Sequence, residues 1–296
     1  MNEPNARKVI QNAVDYTRPR WSQYDISWKN IDIEFIMRGY EQQGFQLFKT
    51  RPILENLSLL SIDCLGTILQ NGPYKIKYDR QFAGSLTSQF YKGLQKGLYG
   101  IEGKKLFVAI STILNQKDIK FGSTFWKLIY FLLQTCHFLK QNYSSSFAKY
   151  LLTKYSSFTH KPDLTEPAFL NISEVEWHIF LEKAKPWQEL KGIGQNIFDF
   201  IMGDVIEAPF ARNSYKFDDS NKHFLRVTGI SQLIIPFDRE TTATFIKNLD
   251  LSYSLRQINK GKYTYCSETE GENYGFCRRF HKCQNCNVFS ICDKIL

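Results

Sequence analysis

The sequence predicts an all-α protein with a metal-binding tail, and three observations predict it. Apolar residues recur at three- and four-residue intervals, as in LFVAISTILNQ and FWKLIYFLLQTCHFLK, which is the period of a helix rather than a strand. Hydrophobic residues make up 43% of the 296 positions, with 24 Phe and 16 Tyr, enough for one large core or two compact lobes. Near the C-terminal end, FCRRFHKCQNCNVFSICD sets Cys277, Cys283, Cys286 and Cys292 in a C-x5-C-x2-C-x5-C array.

The chain opens with MNEPNARKVIQNAVDYTRPR, which lacks the apolar stretch of a secretory signal. No run of about 18 uncharged apolar residues occurs, so no membrane partner is expected. An intracellular protein follows, in cytoplasm, nucleoid or nucleus, where clustered thiols bind metal more often than they pair. Breaks at NGPY (71–74), LYGIEGKK (98–105), THKPDLTEP (159–167) and EAPFARNSYKFDD (207–219) interrupt the helical pattern. They suggest an N-terminal helical segment over 1–100, partly packed with the C-terminal lobe. A helical body over 101–235 and C-terminal helices with the cysteine loop over 236–296 complete the chain. Cys64 and Cys136 sit in apolar surroundings and read as core, and Cys266 reads as structural, with a spare ligand as the alternative. The formal net charge of +9 favours a polyanionic partner, and basic, aromatic VDYTRPRWSQYDISWK would suit a further contact arm.

Residues 171–205 carry the second motif. Ser173 and Glu176 form an S-x-x-E capping box that starts a helix, with Trp177, Phe180, Leu181 and Ala184 on one face. The turn Leu190-Lys191-Gly192-Ile193-Gly194 follows, and a second helix carries Ile197, Phe198, Ile201 and Val205. Two glycines there allow backbone N–H groups to approach a phosphate at the positive end of a helix. An ordinary helical hairpin with a glycine C-cap has the same pattern.

The cysteine array admits more than one reading. Zinc accepts four thiolates, and C-x2-C is a common zinc half-site. The second half is C-x5-C, however, and all four cysteines fall within sixteen residues, which suits a cubane 4Fe-4S cluster. Zinc is the alternative, and disulfides rank last.

Hairpin, downstream aspartate and four-cysteine tail, in that order, resemble the helix-hairpin-helix DNA glycosylases over residues 104–293. The similarity is to the iron–sulfur branch that includes endonuclease III and the adenine mismatch glycosylase. It implies a two-lobed helical glycosylase fold, a cluster held by Cys277, Cys283, Cys286 and Cys292, and a monomer acting on double-stranded DNA. The family's tail is C-x6-C-x2-C-x5-C, so the first loop here is one residue shorter.

Further roles follow from the same resemblance. The catalytic aspartate falls on Asp219 in KFDDSN, matching a D-T-N pattern, with Asp218 in reserve and Asp219 able to N-cap its helix. A rival register keeps Arg226-Val227 in phase with the family and puts Asn221 at that position, with Lys222 and His223 after it. The hairpin lysine of the strand-cutting members falls on Asn196, whose amide cannot form a Schiff base. Gln116, beside Asn115, would fill the gap left by an extruded base. Lys191, Gly192, Gly194, Gln195, Lys222, Arg278, Arg279 and Lys282 would hold the DNA backbone.

The implied activity is base excision without strand cleavage, acting on a damaged, modified or mismatched base. A catalytically silent iron–sulfur DNA-binding protein is the alternative. Adenine opposite oxidised guanine is disfavoured, because Ser111 stands where those members carry a glutamate and no residue follows Leu296 to build their extra domain.

Overall fold

The computed structural model describes residues 1–41, 50–71, 83–116, 123–268 and 271–295. Among these the chain is helical, and its sole β feature is an isolated bridge between Ile26 and Val205. In chain order the helices are α1 (Glu3–Trp21), α2 (Ile31–Glu41), α3 (Thr50–Asn56), α4 (Ile62–Gln70), α5 (Ala83–Gln95) and α6 (Gly100–Gln116). Next come α7 (Ser123–Tyr143), α8 (Phe147–Thr159), α9 (Glu166–Leu170), α10 (Glu174–Ala184) and α11 (Gln195–Met202). The last four are α12 (Asp219–Val227), α13 (Arg239–Asn248), α14 (Leu255–Cys266) and the short α15 (Phe280–Cys283). No described helix is long and apolar enough to cross a membrane.

The helices gather into two compact units. The first joins residues 1–26, 173–177 and 202–296, and the second joins 27–172 and 178–201. Breaks in periodicity mark where helices end, whereas a unit is defined by which helices share a core.

In the first unit α1 lies along α14. Its Ala6, Val9, Ile10, Ala13 and Val14 are buried at helical spacing. Gly261 of α14 allows the contact, since a Cβ built there would come within 2.9 Å of the Val14 Cα. Asp204 accepts two hydrogen bonds from the Arg256 guanidinium, at 2.7 and 2.9 Å, and lies 2.8 Å from the Lys260 ammonium. Lys260 also reaches Asp25 at 2.9 Å. The buried carboxylate is thus matched by buried cations, as removal from water demands.

In the second unit α4 packs on α7, where a Cβ on Gly66 would meet the Cys136 carbonyl at 2.8 Å. Cys136 is fully buried as expected, whereas Cys64 is only half-buried at the helix margin. Asp32 of α2 accepts the N–H groups of Phe147 and Ala148, at 2.6 and 3.0 Å, and so caps α8 from a distant part of the sequence.

Candidate nucleic-acid interface and cysteine pocket

The central part of the hairpin motif, residues 178–201, lies in the second unit. The capping box forms: Glu176 N–H donates to Ser173 Oγ at 3.2 Å, and Ser173 N–H donates back to Glu176 Oε2 at 2.9 Å. Those two residues belong to the first unit, while the helix they start continues into the second. Trp177, Phe180 and Leu181 are buried, but Ala184 is exposed at the helix end. The connection is longer than a simple turn, because Pro186–Glu189 forms a 3-10 turn before the glycines. Leu190 and Ile193 are buried, and α11 begins at Gln195. Val205 is buried too, but lies beyond the end of that helix.

The glycine loop is held from below. The Lys191 carbonyl accepts the Tyr40 hydroxyl at 2.8 Å and the Thr135 hydroxyl at 3.3 Å. Gly192 takes φ +78°, with the Phe131 ring 3.1 Å from where a Cβ would stand, so glycine is required twice over. Around Gly194 there is nothing within 4 Å of a built Cβ. Lys191, Gly194, Gln195 and Asn196 are all exposed, so the open end of α11 presents its first N–H groups outward. Tyr40, Phe131 and Thr135 were not found from sequence, since nothing local ties them to the loop. Gln116 ends α6, and its side chain, like that of Asn115, lies outside the described residues.

The aspartate pair begins α12 in the first unit, and here the capping expectation is corrected. Asp218, not Asp219, is the N-cap: its Oδ1 accepts the Asn221 backbone N–H at 2.9 Å and side-chain Nδ2 at 3.0 Å. Extended backbone at 218 turns that carboxylate over the first turn, while Asp219 is already helical. Burial opposes ionisation of Asp218, but Lys216 at 3.1 Å and the Asn221 donors outweigh it and hold the carboxyl below its usual range. Asp219 is fully exposed and pairs with Lys222 at 3.7 Å. Lys222 also lies over the Phe217 ring, 4.7 Å from its centre. Asn221 is buried, and its Oδ1 has no hydrogen-bond partner among the described residues.

Behind this turn lies Lys262 of α14, fully buried, donating to the Tyr215 hydroxyl at 2.6 Å. Burial lowers its ammonium to about 7, although Asp218 and Cys266 pull the other way. Burial and then Asp218 likewise raise the Tyr215 phenol well above its usual value.

The four tail cysteines line one pocket, with Val9, Phe224, Tyr265, Phe276 and Val288 among its walls. Burial and the neighbouring Cys277, Cys286 and Cys292 push the Cys283 thiol up to about 11. Among the described residues, no three His, Cys, Asp or Glu side chains gather as a single metal ion would require. Cys266 is buried, and it and burial hold the Cys277 thiol well above its usual value. His223 Nε2 lies 2.8 Å from the Cys277 carbonyl, tying α12 to the cysteine loop.

Arg278 is exposed. Arg279 pairs with Glu268 at 2.5 Å on the surface. Lys282 turns inward, donating to the carbonyls of Glu272 and Tyr274, so it braces the loop rather than projecting from it.

Comparisons with family models, with curated proteins and with solved structures each return nothing. The sites therefore stand on their own chemistry.

Proposed function

We propose that this chain binds duplex DNA and excises a damaged, modified or mismatched base, leaving an abasic site. The observation that carries the reading is the pinned glycine loop. Tyr40, Thr135 and Phe131 fix its shape, while the exposed turn of Gly194, Gln195 and Asn196 faces outward beside Lys191. Backbone donors at a helix start grip a phosphate without reading sequence. A net charge of +9 supplies the long-range attraction.

The excision step falls to Asp219. Relieved of capping by Asp218 and wholly exposed, its carboxylate is open to a sugar carbon. Extrusion of the base costs a few kcal/mol and is cheapest where pairing is already weakened. As the N-glycosidic bond breaks, positive charge develops on the sugar, and the Asp219 carboxylate stabilises it. The bond's electron pair leaves with the base, which takes a proton from solvent; water adds to the anomeric carbon and gives one proton to the Asp219 carboxylate, which returns it to solvent. Asn196 offers no amine, so strand cleavage through a Schiff base is not expected.

Cys277, Cys283, Cys286 and Cys292 would hold a 4Fe-4S cluster. Four thiols around one largely apolar pocket support that assignment, and zinc is the alternative. The cluster would supply no bond-making chemistry here; it would fix the loop that carries Arg278 and Arg279.

A second reading has its own support. Asn221 is buried and engaged with Asp218, and the register that keeps Arg226-Val227 in phase puts this amide at the catalytic position. That register makes the protein a DNA-binding module without catalysis. Duplexes carrying a panel of altered bases, treated with alkali after incubation, decide between the two. Excision by wild type that is lost in Asp219→Asn supports the first. No excision across the panel, with DNA binding intact, supports the second. Equal excision by Asp219→Asn rules out the assignment of Asp219.

A further inference from the structure

One contact joins α1 and α14 to the cysteine pocket. The Tyr265 hydroxyl lies 2.9 Å from the Cys286 sulfur, and Asn12 Nδ2 donates to the same hydroxyl at 3.2 Å. The ring is held on two sides, stacked on Phe276 at 4.6 Å and edge-on to Tyr16 at 5.7 Å. Packing therefore aims the hydroxyl at the sulfur rather than at solvent.

Between a phenol and a free thiol either atom can donate. A cysteine that binds metal has lost its proton, so its sulfur can only accept. Asn12 occupies a lone pair on the Tyr265 oxygen, which leaves the O–H hydrogen for Cys286. The direction of the bond is thus set at both ends.

We propose that Tyr265, oriented by Asn12, donates a hydrogen bond to the Cys286 ligand and thereby raises the reduction potential of the iron–sulfur cluster. The inference rests on the cluster assignment made above. A donor to a ligand sulfur draws electron density away from the cluster and favours its more negative, reduced state. Tyr265 is a positioning residue for the cluster and takes no part in base excision.

Potentiometric titration of the purified protein, followed by its visible and electron-paramagnetic spectra, tests this. Tyr265→Phe keeps the ring and its packing and removes only the hydroxyl. Its potential is expected to be more negative than that of wild type, and Asn12→Ala should shift the same way by less. A wild-type protein with no iron–sulfur absorbance overturns the cluster assignment and this inference with it. A wild-type cluster whose potential is unchanged by Tyr265→Phe overturns this inference alone. Should Tyr265→Phe fail to hold a cluster, the Asn12→Ala potential decides, and no shift there overturns the proposal.

Discussion

Asp218 and Asp219 are neighbours of identical chemistry, yet they have opposite surroundings. Asp218 caps α12 and pairs with Lys216, while Asp219 stands in water. Replacing Asp218 with Ala removes the cap and should cost about 1–2 kcal/mol in urea unfolding, whereas Asp218→Asn keeps a capping oxygen and should cost less. The pH dependence follows from the lowered carboxyl. Its stabilisation is complete above the unfolded value of about 4 and is lost as pH falls through the lower folded value. The stability gap between wild type and Asp218→Asn should therefore close in acid; a gap constant down to pH 2 would contradict the pairing. The lowered Lys262 works over another window. Its contribution is full above about 10.4 and falls away as pH drops to about 7. Lys262→Met should flatten the stability profile between these limits. That an aspartate begins this helix was legible in KFDDSN. Which of the two caps it was not, because the answer depends on where the backbone leaves the extended region, a shift of one residue.

The hairpin shows the same division at the scale of an element. S-x-x-E and L-K-G-I-G announced two helices and a glycine turn, and both signals are local. The 3-10 turn over Pro186–Glu189 and the pins from Tyr40, Phe131 and Thr135 were invisible, since each depends on residues far away in sequence. Among the cations, Lys282 could be recognised as basic but not as turned inward, because its acceptors are backbone carbonyls. The two glycines are expected to separate folding from binding. At Gly192 the positive φ and the Phe131 ring both oppose a side chain, so Gly192→Ala should lower the melting temperature. Gly194→Ala meets open space, so stability should stay within about 0.5 kcal/mol of wild type. Affinity for an undamaged duplex, read by fluorescence anisotropy, should still fall, because the new methyl stands where a phosphate would approach. Unchanged affinity in Gly194→Ala would remove the hairpin from the interface.

For the molecule as a whole, helicity was plain from periodicity, whereas the make-up of the units was not. Periodicity reports that a helix has a buried face, and says nothing about which distant helix covers it. Thus α1 and α14 each looked like an ordinary amphipathic segment, although Gly261 against Val14 makes them partners. Gly261→Ala should force α1 outward and cost about 1–3 kcal/mol. If the tail holds iron, that substitution should also reduce the iron recovered with the protein, since Val9 of α1 forms part of the cysteine pocket. An Ala variant with wild-type stability would mean that the two helices lie farther apart.

The pairing of α1 with α14 also orders events during synthesis. The partners stand more than two hundred residues apart, and α1 leaves the ribosome long before α14 has been made. Until then its row of Ala6, Val9, Ile10, Ala13 and Val14 has no native cover. Residues 27–172 and 178–201 can close their own core first, while the other unit waits for the tail. Formation of the cysteine pocket belongs to that late stage, because Val9 and the four cysteines meet there for the first time. A nascent chain stalled before α14 would consequently leave an apolar helix exposed, as a natural target for chaperones.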